Sequence, residues 1–252
     1  MSPKLEKYSY SAAVFLLMIM AISGCASVEP VRPPDIKPVE KEEEVSRNGW
    51  WHARFHIKWP QNEEPSWNID LLIAHKTISP VLDQYKNRIT LWRFHRRAAR
   101  DKTGHQFSFI FYSSPETANQ IYNTIRSDPL LREMKIAGLI SQDIYDDTSV
   151  ITQPLVEDTS DKNWSSQMKK SWPHYIMGVS KMWLDLITEI SAQNFKGKGP
   201  SSLQENETFY EDVNERIKGL WQEEGRHALL HHLNAIFGYE PIIIIEKRTI
   251  RF

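Results

Sequence analysis

Arginine and histidine are concentrated in one short stretch: Arg93, His95, Arg96, Arg97 and Arg100, with His105 shortly after. If Trp92 and Phe94 face a core, the period-two alternation of a strand places Arg93, His95 and Arg97 together on its other face. His52, Arg54 and His56 repeat the alternation earlier in the chain and would share the exposed face of a neighbouring strand. Guanidinium forks beside imidazoles suit a carboxylate or a phosphate. Arg93, His95, Arg96 and Arg97 are therefore the candidate ligand-binding residues. The competing interpretation is a solvated sheet face whose cations pair with some of the 32 acidic residues, because surface ion pairs are common and weak.

A second constellation is Glu223-Glu224-Gly225-Arg226-His227 followed by His231-His232. On one continuous helix Glu224, His227 and His231 fall at i, i+3 and i+7, a face that would offer three ligands to zinc or another divalent ion. The chain has no His-Glu-x-x-His motif, and Gly225 weakens helical continuity there. Imidazoles near a helix C-terminus are favoured by the macrodipole in any case. Structural or solvated histidines are the preferred interpretation, and no metal or cofactor is assigned. There is no Gly-x-Ser-x-Gly elbow and no phosphate-binding glycine loop. The alternation Phe107, Phe109, Phe111 and the nine tryptophans read as core rather than as a carbohydrate platform.

The elements that must position these groups follow from periodicity. Trp51, Ala53, Phe55 and Ile57 alternate with His52, Arg54, His56 and Lys58, which predicts a half-buried strand. Residues 68–85 carry apolar positions at helical spacing, with Pro80 expected to kink or restart the helix. Ile89 to Arg96 and His105 to Tyr112 read as strands joined by a polar hairpin ending at Gly104. Ser114-Pro115-Glu116 is a helix start, serine as N-cap and proline in the first turn, for a helix to about Arg126. An apolar patch from Ile136 to Ile144 supplies a fourth strand. The order strand, helix, strand, strand, helix, strand is the ferredoxin-like βαββαβ pattern, so the fold class is α+β. Residues 146–170 read as a long polar loop and a candidate subdivision point. Helices over 175–192 and 209–237 follow, the second divided at Gly225. Ile242 to Ile245 then predict a final buried strand.

The chain is near neutral, with 31 basic and 32 acidic residues, which gives no reason to expect nucleic-acid binding. Ten glycines are few for a turn-rich all-β array, and the single cysteine, Cys25, leaves no internal disulfide, so stability must come from packing. Residues 26–48 hold Pro30, Pro33, Pro34 and Pro38 and the run Lys41-Glu42-Glu43-Glu44. Proline blocks regular pairing and like charges repel, so this stretch predicts a disordered tether reaching up to about 70 Å.

Upstream, Lys4 and Lys7 precede an apolar run from Ala12 to Ile22, the layout of a signal peptide and too short for a comfortable membrane span. Ile22-Ser23-Gly24-Cys25 resembles the bacterial lipobox. The resemblance implies a signal peptide over residues 1–24, an acylated Cys25, a tether over 25–48 and one globular domain over 49–252. Ala26 stands where aspartate would favour inner-membrane retention, which implies the periplasmic face of the outer membrane. The only thiol is then taken up by the anchor.

The globular part resembles the thiopeptide-type bacteriocin biosynthesis domain, also the C-terminal elimination domain of lantibiotic dehydratases. The opening strand over Trp51 to Ile57, the helix Leu71 to Leu82, Leu91-Trp92-Arg93-Phe94-His95-Arg96-Arg97, the turn Asp101 to His105, and His232-Leu233-Asn234 with Gly238 carry that likeness. It implies an α+β fold and places Arg93, Arg96, His105 and His232 near one cleft. Phe107, Phe109 and Ala235 stand where the family carries the arginines that handle an anionic glutamyl adduct, so dehydratase activity is not expected. The expectation is a non-enzymatic binding module, anchored to the membrane through Cys25, for an envelope protein or an anionic envelope ligand. The alternatives are a periplasmic lyase or hydrolase, with His105 or His232 as general acid or base beside Arg93 or Arg96, and a metal-binding lipoprotein.

Overall fold

A computed structural model of the chain describes residues 48–194 and 199–242. Cys25, the tether and most of the isoleucine run expected to form a final strand lie outside the described residues. Ile242 itself is exposed.

Four strands form the sheet: β1 (Gly49–Ile57), β2 (Leu91–Ala98), β3 (His105–Ser113) and β4 (Ile140–Tyr145). Their order is β2-β3-β1-β4, and every neighbouring pair is antiparallel. β3 lies between β1 and β2, so the helical connection after β1 skips one position. This is the ferredoxin-like, split βαβ arrangement that the element order implies. Gly104 closes the β2–β3 hairpin at φ +66°, in the left-handed region that glycine enters without steric cost.

Alternation decides which face is which. Trp51, Ala53, Phe55 and Ile57 of β1 point to the same side as Phe107, Phe109 and Phe111 of β3, and all are buried. Helices cover this side: α1 (Trp67–Leu72), α2 (Ser79–Tyr85), α3 (Pro115–Ser127) and α4 (Pro129–Ile136). Leu71, Leu72, Ile73, Ile78, Ile121 and Ile125 join the same cluster. Each fully buried side chain of this size contributes about 1.5–3 kcal/mol relative to exposure. Ser114 caps α3 as expected, its hydroxyl accepting from the Thr117 N–H. The apolar patch at 136–144 divides differently from expectation. Ile136 ends α4 and is 82% exposed, and only Ile140 onward pairs with β1. Asp128 explains the extra helix, because its carboxylate caps Leu131 N–H and Pro129 follows in the first turn.

Pro80 acts through a widened turn. Residues Ile73–Ile78 form a π-helical segment between α1 and α2, in which the Ser79 N–H bonds the Ala74 carbonyl one residue beyond the α-helical partner. Proline has no N–H and its ring crowds the carbonyl four residues back, so the widened turn accommodates it without ending the helix. His75, in this segment, shares a 2.7 Å hydrogen bond with the Tyr210 hydroxyl. Partial burial, and then the adjacent Lys76, bring its pKa down to about 4.

Residues 146–170, expected to be loop, contain a 3₁₀ turn (Val156–Thr159) and the start of α5 (Ser166–Asn194). α5 begins earlier than periodicity indicates and runs through Pro173. Proline there deprives the Lys169 carbonyl of its helical donor, and the Ser160 hydroxyl supplies one at 2.8 Å. α5 lies along the outer edge of β2, where Ser180 Oγ accepts the Phe94 N–H at 3.1 Å. The chain finishes its described course in α6 (Leu203–Gly225), a π-helical turn (Arg226–His231) and α7 (His232–Ile236). All described residues belong to one compact unit. Among them no helix is long and apolar enough to cross a membrane.

Candidate functional site

The side of the sheet away from α1–α4 carries the basic residues. Residues directly opposite in antiparallel strands share a face, so the register can be read in rows. Arg93 of β2 and His52 of β1 flank Ile110 of β3; His95 and Arg54 flank Ser108; Arg97 and His56 flank Gln106. Ile144 and Gln142 of β4 extend the last two rows beside Arg54 and His56. The six basic residues thus form two walls on β1 and β2, not on adjacent strands as expected, with β3 as the floor. Two inter-strand spacings separate the walls by about 10 Å, and each runs about 13 Å along its strand. Beyond Ile110 the floor is polar, and the Gln106 side-chain amide donates to Ser108 Oγ at 2.8 Å.

One end of this groove is closed. Trp50, Leu91, Ile110 and Tyr112 form a small apolar cluster, with Val156 and Met177 against it. The Trp50 indole N–H donates to the Leu155 and Val156 carbonyls at 3.0 Å, and the Tyr112 hydroxyl to the Pro154 carbonyl at 2.6 Å. The loop lies close enough that a Cβ on Gly49 would meet Ile151 Cγ2 at 2.5 Å. The other end opens toward a depression of about 250 Å³ bordered by His56, Lys102, Thr103 and Ser141.

Charge compensation along the walls is uneven. Asp146, just past β4, accepts from His52 Nδ1 at 2.7 Å and Arg54 Nη1 at 2.8 Å. Its partial burial favours the neutral acid, but the hydrogen bonds and charges of His52 and Arg54 outweigh this and hold its pKa below the usual carboxylate range. Asp101 takes both guanidinium nitrogens of Arg97, at 3.1 and 2.6 Å. That bond, ahead of the Gly104 N–H, holds the Asp101 carboxyl at about 2. Among the described residues no ion pair forms at Arg93, His95 or His56. Arg93 Nε is buried and without a partner, while its guanidinium lies 5.0 Å from the Trp172 ring centroid. Desolvation brings Arg93 down to about 10, still protonated at neutral pH. The His95 pKa is lowered by desolvation first and then by Arg93, Arg97 and His52. An imidazole disfavoured as a cation by its basic neighbours, beside an unmatched guanidinium, makes a site that favours an arriving anion.

Arg96 and His105 do not join this groove. Arg96 alternates to the helical side of the sheet, where its Nε donates to Asp70 Oδ2 at 2.7 Å and its Nη2 to the Trp67 carbonyl at 3.2 Å. The guanidinium lies 4.8 Å from the ring centroids of both Trp67 and Trp183. His105 Nε2 bonds Asp70 Oδ1 at 3.0 Å, and both side chains are fully buried. An ionised carboxylate only accepts, so the Nε2 proton sits on His105 and leaves Nδ1 buried without a partner. Asp70 is the residue that sequence patterning missed, although an acid between Ile69 and Leu71 on a buried helix face signals a basic partner. Trp172 and Asp146 were missed too, since neither lies on a strand whose alternation marks it.

His232 is exposed on α7 and shares no cleft with the buried His105 or with Arg93 on the opposite face. The continuous helix assumed for Glu224, His227 and His231 ends at Gly225, and the π-helical turn resets the spacing. His227 instead stacks on His231, with ring centroids 5.2 Å apart, and contacts His232 at 5.2 Å. Among the described residues no group of three His, Cys, Asp or Glu side chains is arranged to hold a metal ion. Compared with models of protein families, with curated proteins and with solved structures, the chain matches none of them.

Proposed function

We propose that this chain is a binding module, lipid-anchored through Cys25 at the periplasmic face of the outer membrane, that takes an anionic envelope ligand on the open face of its sheet. The anchor and the location rest on the lipobox-like Ile22-Ser23-Gly24-Cys25 and the proline-rich stretch after it. The single observation that carries the ligand class is Arg93. It is a desolvated guanidinium with an unpartnered Nε at the closed end of a groove walled by His52, Arg54, His56, His95 and Arg97. A guanidinium without a counter-ion in a low-dielectric corner gains more from a phosphate or carboxylate than one already paired.

The geometry favours binding over catalysis. A general base must reach the proton it abstracts, and the His105 ring is sealed beneath Trp67. His232, on the C-terminal helices, has no arginine of the pair Arg93 and Arg96 as a described partner.

Titration of the full chain with tripolyphosphate and with citrate at low salt tests the proposal and separates phosphate from carboxylate preference. Binding that weakens at least about tenfold, or roughly 1.4 kcal/mol, in Arg93→Ala/Arg97→Ala is expected. Lys181→Ala, on the outward side of α5, should bind as the parent does. Absence of binding, or equal binding by parent and double variant, overturns the proposal.

A further inference from the structure

We infer, building on the anion-binding proposal, that the groove selects a ligand bearing two or more negative groups and takes up a proton with it, the proton going to His95. The first half follows from spacing. Arg93, His95 and Arg97 occupy alternate positions of β2, so successive residues of that wall stand about 6.6 Å apart along the strand. One phosphate or carboxylate spans only part of that distance, whereas two groups about 5–7 Å apart meet Arg93 and His95 together. Trp172 over the Arg93 guanidinium and the apolar cluster behind it stop the ligand from sliding further toward the closed end.

The second half follows from what faces His95. On its own strand it has Arg93 and Arg97; across Ser108 it faces Arg54, with His52 and His56 on the same wall. β3 contributes Ser108, Gln106 and Ile110, and β4 contributes Ile144 and Gln142, none of them charged. The two acids at the rim are engaged: Asp146 by His52 and Arg54, Asp101 by Arg97. In the free protein, therefore, desolvation first and then the neighbouring Arg93, Arg97 and His52 oppose protonation of His95 and lower its pKa. A bound dianion reverses the sign of that local field and favours the imidazolium. Solvent water or buffer supplies the proton, and nothing else changes covalently. Linkage then requires tighter binding at lower pH, through the interval where free His95 is neutral and ligand-bound His95 is protonated.

A probe with fixed charge isolates the protein's proton. Benzene-1,3-disulfonate and methanesulfonate both stay fully ionised across the range, so any proton taken up resides on the chain. We expect the disulfonate to bind at least about tenfold tighter than the monosulfonate. Its affinity should rise between pH 7.5 and pH 6, with net proton uptake seen as binding heats that differ between buffers of different ionisation enthalpy. In His95→Gln the disulfonate should bind more weakly than to the parent at pH 6, and the rise in affinity between pH 7.5 and pH 6 should be lost. Binding with no pH dependence, equal affinity for the two probes, or an unchanged pH profile in His95→Gln overturns this inference alone. Failure of both probes to bind at any pH overturns the anion-binding proposal with it.

Discussion

Asp70 and Arg93 are the two residues on which the molecule divides its positive charge. Asp70, fully buried, collects Arg96 and His105 into the helical side of the sheet, where they serve packing. Arg93, with no such partner, stays available on the other side. The two roles separate experimentally. Asp70→Asn should lower the free energy of unfolding by about 2–3 kcal/mol, because an uncompensated guanidinium is left between two half-buried indole rings, with some relief from its contact with water. The same variant should bind anions as the parent does. Urea denaturation measures the first quantity, and unchanged stability would mean that the Asp70 carboxylate does not hold Arg96 and His105 together. Strand periodicity shows that Arg93, His95 and Arg97 share a face. It does not reveal that Arg96 has an acid waiting for it, because Asp70 lies on a helix far earlier in the chain.

Strands and capped helices were the most legible elements, and junctions the least. The alternation in β1 and β3 and the Ser-Pro-Glu start of α3 encode their geometry within a few residues, so the ferredoxin-like order follows from the sequence. The π-helical segments at 73–78 and 226–231 do not announce themselves, since one extra residue per turn shifts a helical pattern only slightly. That slight shift is enough to dissolve the spacing of Glu224, His227 and His231. The early start of α5 was hidden by Pro173, whose cost is offset by a hydroxyl thirteen positions upstream, Ser160. α5 also protects the outer edge of β2, a strand with unpaired backbone groups. Ser180→Ala removes the acceptor for the buried Phe94 N–H and should cost about 1–2 kcal/mol. Amide exchange at Phe94 should quicken more than at β3 residues. Equal protection in parent and variant would show that the hydroxyl does not seal the edge.

At the scale of the whole molecule, the sheet is a partition. Its helical side is filled by aromatic and aliphatic packing and closes over Asp70 and His105. Its other side is left open between two basic walls, at one end against Trp50, Tyr112 and the 153–156 loop and at the other toward the depression beside His56. Such a surface needs no mobile lid and no nucleophile to hold an anion, and it suits a domain proposed to stand off a membrane on a tether. The most direct measurement is to map, by NMR, which resonances of the full chain shift on adding tripolyphosphate. Shifts concentrated at Ser108, Gln106, His95 and the Arg93 side chain, with those of Asp70 and His105 unmoved, are the predicted result. Shifts centred on the helical side around Asp70, or on the histidines of the C-terminal helices, would contradict the assignment of the open sheet face as the binding surface.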